Sequence, residues 1–107
     1  MDLNKIKNKK VRAAIEALQK SEEKIWFGLF TDDAILYEDG NHVQFNNFFK
    51  KTLGHERFIH IDSVSDDGLE VIGDFHSDQW GNFKAYYRFT INKTGKIEQL
   101  EIGHQES

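Results

Sequence analysis

The sequence predicts an α+β protein, with helices in its first half and an antiparallel meander in its second. Three observations carry that prediction. Between Arg57 and Gly103, alternating runs stop three times at a glycine, in Asp66-Asp67-Gly68, Gln79-Trp80-Gly81 and Lys93-Thr94-Gly95. Glycine enters the left-handed conformation that closes a three-residue hairpin loop without steric cost. Counting outward from the three loops yields one shared apolar face, and before Arg57 the apolar spacing is helical rather than alternating.

Taken in order, Val11, Ala14, Ile15 and Leu18 recur at i, i+3, i+4 and i+7, which predicts an amphipathic helix over 4–20 with Asp2 as its N-cap. Ser21-Glu22-Glu23 reads as a second helix start, a hydroxyl cap followed by negative charge at the positive end of the dipole. Ile25, Trp26, Phe27, Leu29 and Phe30 are apolar nearly all round, so this short helix is expected to be buried on most sides until Thr31-Asp32-Asp33 ends it. Residues 34–37 read as a short strand and Glu38-Asp39-Gly40-Asn41 as a turn. Phe45, Phe48, Phe49, Thr52 and Leu53 predict a third helix that stops at Gly54. Four strands follow, over 57–65, 69–78, 82–92 and 96–103.

Period two then assigns the faces. Ile59, Ile61, Val71, Phe75, Phe83, Ala85, Tyr87, Phe89, Ile91 and Ile97 fall on the core side, with Phe58, His60, Ile72, Asp74, His76, Lys84, Tyr86 and Arg88 on the other. Strict alternation from Ile97 would turn Gln99 and Glu101 inward. A bulge near Glu98 or Gln99 returns Leu100 and Ile102 to the core and brings His104 to the inner side.

Length and composition narrow the function. A chain of 107 residues is expected to be one domain, 1–107, large enough to bury about two-thirds of the surface of its unfolded form. There is no cysteine, so neither disulfides nor thiolate metal sites are available. Residues 1–12 are lysine-rich and lack the apolar run of a signal peptide, and no stretch approaches membrane-spanning length, so a cytoplasmic protein that binds no membrane is expected. The formal net charge is -4, and between Arg57 and Lys84 there is no lysine or arginine. An acidic sheet argues against nucleic acid as a partner, because phosphate binding draws on clustered basic residues. Lys5, Lys7, Lys9, Lys10 and Arg12 spread around a helix rather than lining one face, as in a solvated helix.

Two helices, the phrase FGLFTDDAILYEDG, a third helix and a meander closing with NKTGKIEQLEI together resemble the nuclear transport factor 2-like superfamily, in particular its SnoaL-like and ketosteroid isomerase-like members. The resemblance covers almost the whole chain and marks fold better than activity. It implies a cone: a strongly curved antiparallel sheet, made of the four-strand meander and the short first strand, wrapped around three N-terminal helices and a pocket. It also implies a homodimer through the convex sheet face, here Phe58, Ile72 and Tyr86. In the isomerase-like members a carboxylate four residues after the alanine of DDA is the general base, which corresponds to Glu38. A second acid group, midway along the strand before the GKI hairpin, donates to the developing oxyanion, which corresponds to Tyr87; a phenol can donate that bond. One departure is plain, since the family's first-helix tyrosine would fall near Ala14 and no tyrosine precedes Tyr37.

On this reading Trp26, Phe45, Phe49, Phe83 and Phe89 face the interior, and those nearest the open end line a cavity for a small apolar or aromatic ligand, with no cofactor. His104 would serve at the pocket mouth as a second acid or base. The same residues also have a structural explanation, with Glu38 solvating a turn and Tyr87 a core aromatic whose hydroxyl is tied to a neighbour. On the outer face His60, Asp74 and His76 are neighbours, but side chains on adjacent strands splay, so no metal is expected and a protein interface is the simpler use. There is no phosphate loop, HExxH or nucleophile elbow. A small-molecule-binding domain is the expectation. The alternatives are a cofactor-free isomerase, cyclase or dehydratase working through Glu38 and Tyr87, and a dimeric interaction module.

Overall fold

In the computed structural model, which describes residues 3–105, Asn8 starts the first long helix. Its Oδ1 accepts the backbone N–H groups of Lys10 and Val11 at 3.0 and 3.1 Å, two donors left over at a helix start. Helix α1 therefore spans Lys9–Lys20 rather than beginning at residue 4, and a separate 3-10 turn covers Leu3–Lys5. The expected cap Asp2 lies outside the described residues. Ser21 does not open the next helix. It sits in the left-handed region at φ +57, and the N–H groups of Ser21 and Glu22 return to the carbonyls of Leu18 and Ala17, closing α1. Helix α2 follows at Glu23–Gly28, where Trp26 is buried but Ile25 is half exposed. Among the described residues no helix is long and apolar enough to cross a membrane.

The first strand, β1 (Phe30–Glu38), begins well before the expected 34–37 and absorbs the Thr31-Asp32-Asp33 segment expected to end the helix. Strand β2 (Asn41–Val43) forms a hairpin with it, helix α3 covers Phe45–Thr52, and Gly54 at φ +91 leaves that helix as expected. The meander comprises β3 (Glu56–Val64), β4 (Glu70–Ser77), β5 (Gly81–Ile91) and β6 (Ile97–His104). The six strands form one curved open sheet in the order β2-β1-β6-β5-β4-β3, with the helices packed against it. The sheet is mixed rather than wholly antiparallel. The chain enters the meander at the far edge, and its fourth strand returns beside β1 running in the same direction.

Two of the expected pairings keep the expected faces. Ile91 lies opposite Ile97, after which Glu98 bulges, so that Phe89 faces Leu100, and Leu100 and Ile102 are buried. The β4–β5 pairing is displaced by two residues, with Phe75 opposite Phe83, which leaves every face unchanged. The β3–β4 pairing departs. His60 does face Asp74, but Ile59 and Asp62 are each extra residues in β3. A bulge breaks the alternation. Phe58 consequently points inward at 1% exposure, and Ile59, expected in the core, is 44% exposed. Phe58 is thus unavailable to the outer-face contact assigned to it.

The inner face is held by rings. Phe58, Phe75 and Tyr87 meet with centroids 5.0 to 5.5 Å apart, and Phe83 packs on Phe75 at 5.7 Å. At the free edge of β3, the Gln19 amide of α1 bonds both the N–H and the carbonyl of Phe58 at 2.7 Å, and Lys5 donates to the Ile61 carbonyl at 3.0 Å. These bonds cover an edge that would otherwise pair with another chain. The β3–β4 loop is fixed by Asp67, whose carboxyl accepts from the Ser65 hydroxyl, the Leu69 N–H and Arg88, holding it at about 2.

Phe75→Ala is expected to lower stability by about 3–5 kcal/mol, as for other large truncations in a packed core. Chemical denaturation measures it, and a loss below about 1 kcal/mol would contradict a close-packed ring cluster.

Candidate active site

The open end of the sheet encloses a cavity of about 270 Å³. Phe75, Phe83, Ala85 and Ile102 give it apolar walls, the Tyr87 ring closes its base, and Asp39, Trp80 and His104 stand at its mouth. Glu38 and Glu56 line it from opposite sides, one at the end of β1, next to the β2 edge, and the other at the start of the edge strand β3.

Each carboxylate is held by its strand. Glu38 pairs with Ile102 across β1–β6, and the next residue, Asp39, adopts φ +49. The N–H of Asp39 donates to the Ile102 carbonyl at 2.9 Å while its Oδ1 accepts the His104 N–H at 3.0 Å, so one residue locks the end of β6. The His104 ring then stacks on Phe83 at 4.2 Å and approaches Asp39 Oδ2 at 3.6 Å. Glu56 lies opposite Ser77, a fully buried serine that donates to its Oε2 at 2.9 Å. The same hydroxyl accepts the N–H groups of Gln79 and Trp80 at 3.2 and 3.1 Å, tying the Trp80 loop to Glu56.

Burial dominates the electrostatics. It pushes the Glu38 carboxyl above the ordinary carboxylate range, and neighbouring Asp39 pushes the same way against a smaller pull from His104. Burial also raises Glu56, opposed by the Ser77 hydrogen bond and reinforced by the charge of Glu38. Tyr87, 2% exposed, is driven well above the ordinary phenol value by burial and then by Glu56 and Glu38. Its hydroxyl has no hydrogen-bond partner among the described residues. A buried donor left unpaired costs about 1–3 kcal/mol, so it is a group that another molecule could satisfy.

Glu38, Tyr87, His104 and Phe83 thus border one cavity. Trp26, Phe45 and Phe49, expected beside the ligand, instead pack with Phe30 into a separate cluster at 4.5 to 5.1 Å, and Phe89 is buried; none of the four lines this cavity. They lie under the helices rather than at the open end. The sequence reading also passed over Glu56. Alternation from Ile61 without a bulge places position 56 on the outer face, and the one signal for the inner face is its strand partner Ser77, which alternation from Phe75 turns inward.

The outer face carries the other titratable cluster. His60, Asp62 and Asp74 bring ligand atoms within 4.8 Å of one another, and the Lys84 ammonium bridges Asp62 and Asp74, lying 2.9 Å from the latter. Lysine occupies the place a cation would take. His76 does not join them, because its ring bonds Asn82 and Asp78, each at 2.7 Å.

No protein-family model matches the chain, and a search of curated proteins by sequence finds no relative. Solved structures do match. An NTF2-like protein of unknown function from Cytophaga hutchinsonii superposes with a TM-score of 0.73 at 15% identity, covering 90% of this chain and 87% of its own. A putative polyketide cyclase from Sinorhizobium meliloti gives 0.73 at 18%, covering 95% and 99%. The orange carotenoid protein of Anabaena, solved binding canthaxanthin, gives 0.77 at 20%, covering 95% of this chain but 37% of that longer one. At these identities the likeness establishes fold and leaves activity open. Element order, the mixed curved sheet and these superpositions agree that the chain has the nuclear transport factor 2-like fold.

Proposed function

We propose that this protein is a small-molecule-binding domain whose ligand, a small apolar or aromatic compound with one polar group, occupies the cavity between Phe83, Ile102 and Tyr87. The observation that carries this reading is the combination of apolar walls with an unpartnered Tyr87 hydroxyl between two half-buried carboxylates. A mostly apolar pocket with a few converging polar groups is the usual form of a ligand site. Two superposable proteins, a putative polyketide cyclase and a carotenoid protein binding canthaxanthin, are consistent with it.

A second reading has one observation in its favour, the raised Glu38 carboxyl beside the same cavity. A carboxylate made more basic by burial is suited to removing a proton next to a carbonyl, with the Tyr87 hydroxyl donating to the oxygen where charge develops. His104, stacked at the mouth, would then return the proton. That chemistry needs no cofactor and describes an isomerase, cyclase or dehydratase.

For assembly, we infer a homodimer through the outer sheet face, where Ile59 rather than Phe58 accompanies Ile72 and Tyr86. A two-fold contact would cover these apolar groups between charges.

Three measurements test these readings. Tyr87→Phe removes a hydroxyl that has no partner among the described residues, so thermal stability should stay level or rise by up to about 1 kcal/mol while affinity for aromatic fragments, followed by NMR shifts at Phe83 and Ile102, falls. A stability loss instead would mean that the hydroxyl already has a structural bond. Under the catalytic reading, Glu38→Gln keeps fold and binding and abolishes turnover in an isomerase or dehydratase screen; undiminished turnover in that variant would remove Glu38 as base. Light scattering should report a dimer at micromolar concentration that Ile72→Glu dissociates, and a monomer in both proteins would end the assembly proposal.

A further inference from the structure

The charge around the cavity is one-sided. Glu38, Asp39 and Glu56 border it, no lysine or arginine does, and the one imidazole, His104, is held toward Asp39. Neither Glu38 nor Glu56 has a salt-bridge partner among the described residues. Elsewhere on this chain exposed acids recruit cations: Asp62 and Asp74 share Lys84, and Asp67 takes Arg88. The two half-buried carboxylates of the cavity are left without one, although partial burial makes an unpaired negative charge more costly there than at the surface.

The other surfaces of the cavity point the same way. Phe75, Phe83 and Trp80 contribute aromatic rings, whose faces attract cations, and the Trp80 indole is 66% exposed at the mouth. The Tyr87 side chain is 2% exposed, and its hydroxyl has no partner. An ionised carboxylate can only accept hydrogen bonds, and a phenol oxygen can accept one as well. The base of the cavity is therefore rich in acceptors and poor in donors.

We propose that the ligand of this cavity is a cation, a small aromatic or aliphatic amine bound in its protonated form, with its ammonium among Glu38, Glu56 and the Tyr87 oxygen and its body against Phe75, Phe83 and Trp80. This rests on the reading of the cavity as a ligand site and names the class of ligand. An ammonium brings donors and no acceptor, which is the complement of the two carboxylates and of the lone pair on the Tyr87 oxygen. A carboxylate ligand would add a third unpaired negative charge. A neutral alcohol offers a single donor and relieves none of the repulsion between Glu38 and Glu56. Ser77 couples the two ends of the site, because the hydroxyl that bonds Glu56 also holds the N–H of Trp80.

Three probes of nearly equal shape test the inference: 2-phenylethylammonium, 2-phenylethanol and phenylacetate, each titrated calorimetrically into the full chain near neutral pH. The ammonium should bind at least about tenfold more tightly than the alcohol, the margin expected for a charge-assisted contact with cation–π support, and phenylacetate most weakly. In Glu38→Gln and Glu56→Gln the margin should shrink while alcohol binding holds. Each amide keeps the side-chain shape, and at position 56 it keeps an oxygen for the Ser77 hydroxyl, so both variants should fold; Trp80→Leu, at an exposed loop position, supplies an independent variant with the same expected loss of margin. Alcohol binding as tightly as ammonium, or a margin that survives all three substitutions, overturns the cationic ligand and leaves the cavity a site for neutral compounds. Failure of all three probes to bind overturns the ligand-site reading itself.

Discussion

At Gly73 the backbone of β4 passes so near β3 that a Cβ there would lie 2.0 Å from the His60 carbonyl oxygen. That contact is backbone against backbone, so no side-chain rotation relieves it, and glycine is the residue that permits it. The close approach lies beside the extra residues Ile59 and Asp62, which give β3 its change of phase. On one side of the bulge Phe58 and Glu56 turn inward; on the other Ile61 does. Without it, the ring of Phe58 would leave the cluster with Phe75 and Tyr87, and the Glu56 carboxylate would leave the cavity.

A second phase change, at Glu98 in β6, does the corresponding work at the other side of the site. It buries Leu100 and Ile102 and sets the His104 ring on Phe83. The cavity is bounded by the inner residues of strands whose alternation has been reset, which is why its two carboxylates come from the distant ends β1 and β3. Bulges recur beside functional sites because they re-aim a side chain without altering the pairing that stabilises the sheet.

Polar groups on the two faces of the sheet have opposite settings. On the outer face Asp62, Asp74 and Lys84, and likewise Asp67 and Arg88, are paired and solvated, and such pairs contribute little to stability. On the inner face Tyr87 is buried and Glu38 and Glu56 are half-buried, and all three are raised above their ordinary values and, apart from the Ser77 bond, without partners among the described residues. A fold tolerates such groups only because the aromatic core around them supplies the compensating burial. Polar residues left unsatisfied in an otherwise consistent core are the ones most readily explained by function.

Much of this architecture was legible in the residues themselves. The three glycine loops set a common apolar face on β4 and β5, the aromatic spacing placed α3, and the conflict between Gln99 inward and Leu100 outward was enough to locate the β6 bulge, because only a phase change could bury the leucine. Local chemistry alone did not locate the start of α1, since Asn8 and Asp2 are both capable caps and only the packing of Ile6 and Lys5 against the sheet separates the turn from the helix. The β3 bulge was hidden because Phe58 and Ile59 are both apolar, so either could be the buried one and alternation raised no conflict. Glu56 was hidden with it. Glu38, Tyr87 and His104 could be nominated by position, but their meeting in one cavity, with an unpaired hydroxyl and two carboxylates lacking a cation, is a property of strands β1, β3, β5 and β6 brought together across the curved sheet, which no local stretch of sequence contains.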